Sequence, residues 1–144
     1  MIEISFAKLV EIKYEMQTIN IATSKRCEFI DITSRIEKIV KASKTNSGIC
    51  VIFCPHTTAG LTINENADPS VKKDIIEHLS ELVSSGKNYH HLEGNSDAHI
   101  KSSLLGSSLN VIIDDGALVL GTWQGIYFCE FDGPRERQIY VKIL

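Results

Sequence analysis

The chain has 144 residues, of which 43% are apolar and 23% are charged, and its formal net charge is −3. A chain of this length can bury a sizeable core, and we expect residues 1–144 to form one domain. The acidic balance and the lack of a lysine- or arginine-rich stripe argue against nucleic acid as a partner. No apolar run approaches the ~20 residues that cross a bilayer, and no signal-peptide pattern is visible. We therefore expect no membrane association and a cytoplasmic location.

The first predicted elements are a strand, a helix and a second strand. A two-residue period over Glu11–Thr23 predicts a strand. Apolar residues at helical spacing after Thr33, which we predict to be an N-cap, indicate a helix that ends in the Asn46-Ser47-Gly48 turn. The continuous apolar run that begins at Gly48 and reaches Thr57 predicts a central strand with both faces covered.

The clearest helix signal follows a short predicted strand at Leu61–Ile63. Asp68 and Pro69 suit the N-cap and the first helical position, and Gly86 is predicted to be the C-cap. His78 falls on the predicted exposed face. The predicted buried face consists of Val71, Ile75, Ile76, Leu79, Leu82 and Val83.

The last third of the chain predicts mostly strands. Asp114-Asp115-Gly116 is typical of a hairpin turn because Asp-Gly tolerates positive φ. The strands predicted around it are Leu109–Ile113, Ala117–Gly121, Ile126–Asp132 and Arg137–Leu144. Because strands outnumber helices about three to one, we expect an α+β fold with an antiparallel-rich sheet.

The four cysteines have no CxxC spacing and lie in apolar, strand-like surroundings. They are Cys27, Cys50, Cys54 and Cys129. We interpret them as buried reduced thiols, with a zinc or redox role as the alternative.

The stretch Tyr89–Gly106 is unusually rich in functional groups, which are costly to bury unpaired. It contains His90, His91, Glu93, Asp97, His99 and Lys101. Ser96 or Asp97 is predicted to cap a short helix that Gly106 ends, and a helix N-terminus favours an anion such as phosphate. An imidazole cluster with a carboxylate suits zinc or another first-row metal. The alternative is a capped surface turn with solvated charges.

Other candidate groups lie outside that stretch. His56 ends the buried strand and is either a functional or a structural histidine. Glu65 has no evident structural role, and Glu130 alternates along a strand, facing either a site or water. Trp123 fits a core or an interface better than a ligand site. Arg135 and Arg137 follow a turn and are either phosphate ligands or simply exposed.

Three segments together resemble the signature blocks of the YjbQ family. The segments read His56-Thr-Thr-Ala-Gly-Leu-Thr-Ile-Asn-Glu-Asn, Glu93-Gly-Asn-Ser-Asp-Ala-His-Ile-Lys-Ser-Ser-Leu-Leu-Gly and Gly121-Thr-Trp-Gln-Gly-Ile-Tyr-Phe-Cys-Glu-Phe-Asp-Gly-Pro-Arg. They occur in the family's order and spacing, and the resemblance spans nearly the whole chain.

The resemblance implies an α+β fold with an antiparallel-rich, β-sandwich-like core, two main helices and one short helix. It also implies a homotrimer with a histidine-rich pocket for a divalent metal, zinc or magnesium. The implied metal ligands are His56, His91 and His99. The implied catalytic residues are Glu65, Asp97, Lys101 and Glu130, and the implied substrate-binding residues are Asn95, Lys101 and Arg135.

The function implied by the resemblance is a metal-assisted transferase that acts on phosphorylated small molecules. Family members are labelled secondary thiamine-phosphate synthases, which join a pyrimidine diphosphate to a thiazole phosphate and release pyrophosphate. A metal with Lys101 and Arg135 could neutralise that leaving group. The same groups would also suit a metal-dependent phosphoester hydrolase, a trimer that binds a metal or phosphometabolite without turnover, or histidines that only hold the trimer together.

Overall fold

The computed structural model describes residues 15–144 as two antiparallel β-sheets and three helices. The helices are α1 (Thr33–Ser43), α2 (Pro69–Leu82) and α3 (Ser96–Leu105). The strands are β1 (Gln17–Ala22), β2 (Glu28–Asp31), β3 (Gly48–Phe53), β4 (Ala59–Glu65), β5 (Ser108–Asp114), β6 (Ala117–Leu118), β7 (Gln124–Glu130) and β8 (Glu136–Ile143). Sheet A has the order β1-β8-β3-β5-β6, and sheet B has the order β2-β7-β4. The predicted α+β fold is confirmed.

The main hydrophobic core lies between the two sheets and α1. Strand β8 contributes Ile139, Val141 and Ile143 from alternate positions, and β7 contributes Ile126 and Phe128 in the same way. The two-residue period of each strand sends one set of side chains inward, so the alternation in the sequence becomes the layer between the sheets. Burial of these apolar side chains is the main stabilising contribution to the fold.

The second face of sheet B is covered by α2 and α3. Phe29, Tyr127 and Phe131 form a smaller apolar cluster there. Helix α3 lies close to β4, because Gly60 has no side chain and a Cβ at this position would lie 2.9 Å from the carbonyl oxygen of Gly106. This packing fixes the N-terminus of α3 beside the ends of β3 and β7.

Several sequence predictions are confirmed. Asp68 caps α2 by accepting a hydrogen bond from the Ser70 amide, and Pro69 begins the helix. Residues Asp115 and Gly116 have positive φ in the turn between β5 and β6. Helix α3 ends before Gly106. His78 is exposed, and Cys50, Cys54 and Cys129 are buried free thiols, whereas Cys27 is a free thiol that is only half-buried.

Other predictions need correction. Strand β3 is central in sheet A, but only one face is covered, since Ile49 and Phe53 are exposed. Ile32, not Thr33, occupies the N-cap position of α1, and Asn95, not Ser96 or Asp97, occupies that of α3. The Thr33 amide at the start of α1 donates a hydrogen bond to Asp31 Oδ1. Helix α2 has its C-cap at Val83, three residues before Gly86. The apolar run predicted two covered faces for β3 because an apolar pattern does not show which faces the tertiary structure covers.

The strand bounds also differ from the predictions. Strand β1 begins at Gln17, and the predicted residues from Glu11 to Tyr14 lie outside the described part of the chain. Strand β6 spans only two residues instead of Ala117–Gly121. Leu82 is exposed on α2, although the helical period placed it on the buried face. Among residues 15–144, no helix is both long enough and apolar enough to cross a membrane.

Candidate functional site

A polar cleft of about 280 Å³ lies where β3, β7, β8 and α3 meet. The segment between β3 and β4 contributes His56, Thr57 and Thr58, and helix α3 contributes Asn95 as its N-cap and His99 from its first turns. The remaining polar lining residues are Glu93, Asp132, Arg135 and Arg137. Segments far apart in the sequence therefore present charged and polar side chains to one space.

A buried ion pair between Glu130 and Arg137 forms the floor of the cleft. Glu130 is 0% exposed, and Arg137 donates from Nε to Oε2 at 2.8 Å and from Nη2 to Oε1 at 2.6 Å. Thr23 Oγ1 also donates to Oε2 of Glu130. The backbone amides of Phe131 and Asp132 donate to its Oε1. The carboxylate thus accepts five hydrogen bonds.

These contacts shift both pKa values of the pair. Burial alone raises the pKa of Glu130, but the hydrogen bonds from Arg137, the Asp132 amide and Thr23, together with the positive charge of Arg137, outweigh it and lower the pKa. The hydrogen bonds from Glu130 raise the pKa of Arg137. Both groups are therefore charged at neutral pH and are held in one geometry.

Two further polar groups connect this floor to the cleft opening. Thr58 Oγ1 accepts a hydrogen bond from Arg137 Nη2 at 2.8 Å, so its hydroxyl hydrogen can be donated elsewhere. Asp132 accepts hydrogen bonds from Asn95 Nδ2 at 2.9 Å and from Arg135 Nη2 at 2.8 Å. The Arg135 side chain is nevertheless 54% exposed, so part of its guanidinium faces solvent.

Asn95 leaves one acceptor unsatisfied. Its Oδ1 is buried and has no hydrogen-bond partner among the described residues. A buried polar atom without a partner is costly, and water or a ligand donor at the cleft would relieve that cost.

His56 is fixed at the edge of the cleft by β8. Its Nε2 lies 3.0 Å from the carbonyl oxygen and 3.1 Å from the amide nitrogen of Gln138. Burial lowers the pKa of the imidazole, and the positive charge of Arg137 lowers it further. His56 is therefore predominantly neutral at pH 7.

The three histidines predicted as metal ligands come together only in pairs. The rings of His91 and His99 have centroids 5.4 Å apart and are nearly perpendicular, and His56 shares the cleft with His99. His91 Nε2 also lies 3.6 Å from Glu93 Oε2. Within residues 15–144, however, no three His, Cys, Asp or Glu side chains are arranged to hold a metal ion. The predicted three-histidine set does not fit a metal within one chain.

Asp97 and Lys101 lie on the buried face of α3 and do not line the cleft. Lys101 Nζ lies 3.4 Å from Asp97 Oδ2, and Arg26 Nη2 lies 2.9 Å from Asp97 Oδ1. Arg26 also approaches Asp132, with 3.9 Å between Nη1 and Oδ1. Their geometry is that of an ion network that anchors the start of α3 to the segment before β2. The catalytic and substrate-binding roles of Asp97 and Lys101 stay predictions.

Glu65 lies at the opposite end of β4 from the cleft. The strand runs from Ala59 to Glu65, and at about 3.3 Å per residue this separates Glu65 from the cleft by about 20 Å. Its catalytic role stays a prediction that the geometry of one chain does not support. Trp123 is exposed, as an interface residue would be.

Sequence reasoning missed Asp132 and Arg26, and it did not predict that Arg137 is buried, although one signal for this burial was present. Arg137 has the same phase as Ile139 and Val141, so a charged residue occupies a core-facing position. Glu130 has the same phase as Phe128. Two opposite charges that both interrupt an inward-facing apolar alternation predict a buried ion pair.

The fold and the cleft define a class of two-sheet α+β proteins with a polar pocket at one end of the sheets. Residues 17–144 match the family model described as "UPF0047 protein YjbQ-like". The chain belongs to this YjbQ family, which confirms the resemblance. It is 63% identical over 124 residues to the UPF0047 protein MJ1081 of Methanocaldococcus jannaschii, covering 86% of this chain and 90% of that protein. It is 52% identical over 130 residues to the UPF0047 protein YugU of Bacillus subtilis, covering 90% of this chain and 98% of that protein.

Solved structures agree with the fold. A crystal structure of an uncharacterized YjbQ/UPF0047 family protein from Clostridium acetobutylicum superposes with a TM-score of 0.88 at 55% identity, covering 89% of this chain and 99% of that chain. A YbjQ-like protein of unknown function from Sulfolobus solfataricus superposes with a TM-score of 0.86 at 36% identity, covering 90% and 95%.

These findings overturn the predicted function. The relatives are named as UPF0047 proteins, and the solved ones as uncharacterized or of unknown function. None of these names supports thiamine-phosphate synthase activity. The three histidines on which the metal-assisted chemistry depended do not form a site within the described residues. The prediction of a metal-assisted transferase is wrong, and its metal-based alternatives lose the same support.

Proposed function

We propose that the cleft binds a small molecule through a phosphate or carboxylate group. The observation that carries this proposal is the division of hydrogen-bonding capacity around the cleft. Glu130 and Asp132 accept from internal donors, whereas Arg135 and Thr58 keep donors that are not used within the described residues. A ligand that supplies acceptor oxygens complements these donors, and a hydroxyl of a protonated phosphate, or a water, would donate to the unpaired Asn95 Oδ1.

The N-terminus of helix α3 also favours the binding of an anion. Its N-cap residue Asn95 and His99 line the cleft, and no side chain caps the helix. Free backbone amides and the helix dipole at this end favour negative charge. His56 can donate or accept according to its tautomer, and His99 lies one turn inside the helix. The anion would contact groups from three separate segments.

A pair of charge-matched variants tests the proposal. Arg135→Ala removes a guanidinium at the cleft, and Lys142→Ala removes an exposed positive charge near the far end of β8, outside the cleft. We expect Arg135→Ala to weaken the binding of inorganic phosphate about tenfold or more, since it loses a charge-assisted hydrogen bond. Lys142→Ala should change the affinity less than about twofold, because a distant exposed charge is screened.

Isothermal titration calorimetry with inorganic phosphate measures both variants against the parent chain. Equal affinities in the parent and Arg135→Ala would show that the cleft is not the anion site. Acetate, titrated in the same way, distinguishes a preference for carboxylate from one for phosphate.

A homotrimer is also proposed, and the outer face of sheet A supports it. Ile49 lies opposite Ile112 in the register of β3 and β5, and the Val119 amide bonds to the Ile112 carbonyl oxygen. These side chains and Phe53 are exposed, with Ile112 at 62%. A contiguous apolar patch of this kind is typical of an interface.

Two further expectations remain predictions. A divalent metal, zinc or magnesium, would need a ligand beyond the His91–His99 pair, and no step of the proposal depends on it. The cytoplasmic location also remains a prediction.

A further inference from the structure

The side-chain amide of Asn95 is held in one orientation at the start of α3. Its Nδ2 donates to Asp132 Oδ2 at 2.9 Å, and its backbone carbonyl oxygen accepts from the Ala98 amide at 3.0 Å. Asp132 also accepts from Arg135 Nη2, and its Oδ1 lies 3.9 Å from Arg26 Nη1. A carboxylate between two guanidinium groups offers only acceptors, so a flipped amide would set the Asn95 oxygen against another acceptor.

The amide oxygen of Asn95 is consequently a fixed acceptor without a donor. Asn95 is 9% exposed and lines the cleft, and its Oδ1 is buried with no hydrogen-bond partner among residues 15–144. The groups that we propose to bind the anion are donors, chiefly the Arg135 guanidinium and the Thr58 hydroxyl. One acceptor among these donors complements an anion that has a hydrogen on one of its oxygens.

We infer that the cleft selects an oxyanion that keeps a hydrogen on one oxygen, such as hydrogen phosphate, over one that does not, such as sulfate. The inference rests on the proposed function, because the cleft must first bind an anion. Sulfate has the tetrahedral shape and the double negative charge of hydrogen phosphate, but at neutral pH its oxygens are only acceptors. Sulfate would leave Asn95 Oδ1 unpaired or place a second acceptor against it, whereas the phosphate hydroxyl would donate to it.

Titration calorimetry of the parent chain with phosphate, arsenate and sulfate, at one pH and one ionic strength, separates the two classes of anion. We expect phosphate to bind at least about tenfold more tightly than sulfate, because a buried acceptor left without a donor is costly. Hydrogen arsenate also carries a hydroxyl and should bind within about threefold of phosphate. Arsenate that bound as weakly as sulfate would overturn the inference.

The variant Asn95→Ala tests whether this residue makes the distinction. The Asn95 side chain makes no cap hydrogen bond to α3, so its truncation removes none. We expect the preference for phosphate over sulfate to fall to about threefold or less, mainly through weaker phosphate binding. Asn46→Ala is the matched control, because Asn46 is exposed in the turn before β3, at the opposite end of that strand from the cleft. It should retain the full preference.

The possible results separate this inference from the proposed function. If phosphate and sulfate bind the parent chain equally, or if the preference survives Asn95→Ala, the inference is wrong and the proposed function stands. If neither anion binds, the proposed function itself fails. Should Asn95→Ala not fold, the comparison of arsenate with sulfate in the parent chain decides whether the cleft recognises the hydrogen.

Discussion

The ion pair of Glu130 and Arg137 is the residue-scale feature on which the cleft depends. Both side chains take inward-facing positions of their strands, where an unpaired charge is costly. Their mutual hydrogen bonds and those from Thr23 offset that cost. We interpret the structural role of the Glu130 carboxylate as fixing the position of Arg137, which in turn donates to Thr58. The carboxylate oxygens already accept five hydrogen bonds. The catalytic role predicted for Glu130 is untested.

Removing one partner should destabilise the fold. We expect Glu130→Gln to lower the free energy of unfolding by about 3 kcal/mol, because Arg137 stays buried without its counter-charge. The double variant Glu130→Met, Arg137→Met should be less destabilised than Glu130→Gln, since no buried charge remains. Urea unfolding followed by circular dichroism measures these differences.

Glu136→Gln controls for the loss of a carboxylate, because Glu136 is exposed at the start of β8. It should change the free energy of unfolding by less than about 0.5 kcal/mol. A similar small loss in Glu130→Gln would contradict a structural role for the buried pair.

The packing of α3 on β4 is the element-scale feature that positions the site. Ser102 Oγ donates to the carbonyl oxygen of Ala59 at 2.6 Å, and the Leu61 amide donates to that of Gly106 at 3.0 Å. Gly60 allows the close approach. These contacts fix the position of α3 relative to β4. They therefore also fix the position of His99, which lies on α3.

Gly60→Ala should disturb both stability and binding. The added methyl group would lie 2.9 Å from a backbone oxygen, which cannot move as a side chain can. We expect a loss of about 1–3 kcal/mol in the free energy of unfolding, with weaker phosphate binding as α3 shifts. Chemical denaturation and calorimetry measure the two effects.

Gly121→Ala is the control, because a Cβ there meets only the end of the Gln124 side chain, at 3.3 Å. It should cost less than Gly60→Ala and leave phosphate affinity unchanged. Unchanged stability in Gly60→Ala would mean that α3 tolerates displacement from β4.

Sequence patterns predicted the helices and turns better than they predicted which faces are covered and which side chains come together. The helix at Asp68 and the turn at Gly116 follow from local capping and φ preferences, which act over a few residues. The exposed face of β3 could not be predicted, because an apolar run has the same composition whether it faces a core or an interface. Likewise the histidine spacing predicted a polar site, but it gave no distances between His56 and the others.

At the scale of the whole molecule, the exposed apolar side chains on the outer face of sheet A support the proposed homotrimer. Ile112→Lys should convert the proposed trimer into monomers, because it places a charge at the centre of the apolar patch. Size-exclusion chromatography with light scattering measures the mass. Leu82→Lys, at an exposed leucine on α2, should leave the assembly intact. A monomeric parent chain, or a trimeric Ile112→Lys variant, would contradict the proposal.

The central claim is that the cleft binds an anion through donors from the β3–β4 segment and the first turn of α3. Titration of the ¹⁵N-labelled chain with inorganic phosphate, followed by NMR, tests this claim most directly. We expect saturable shifts of the Thr57, Thr58, Ser96 and Asp97 amides, with little change on the outer face of sheet A. An absence of saturable shifts at these amides, or shifts confined to another surface, would contradict it.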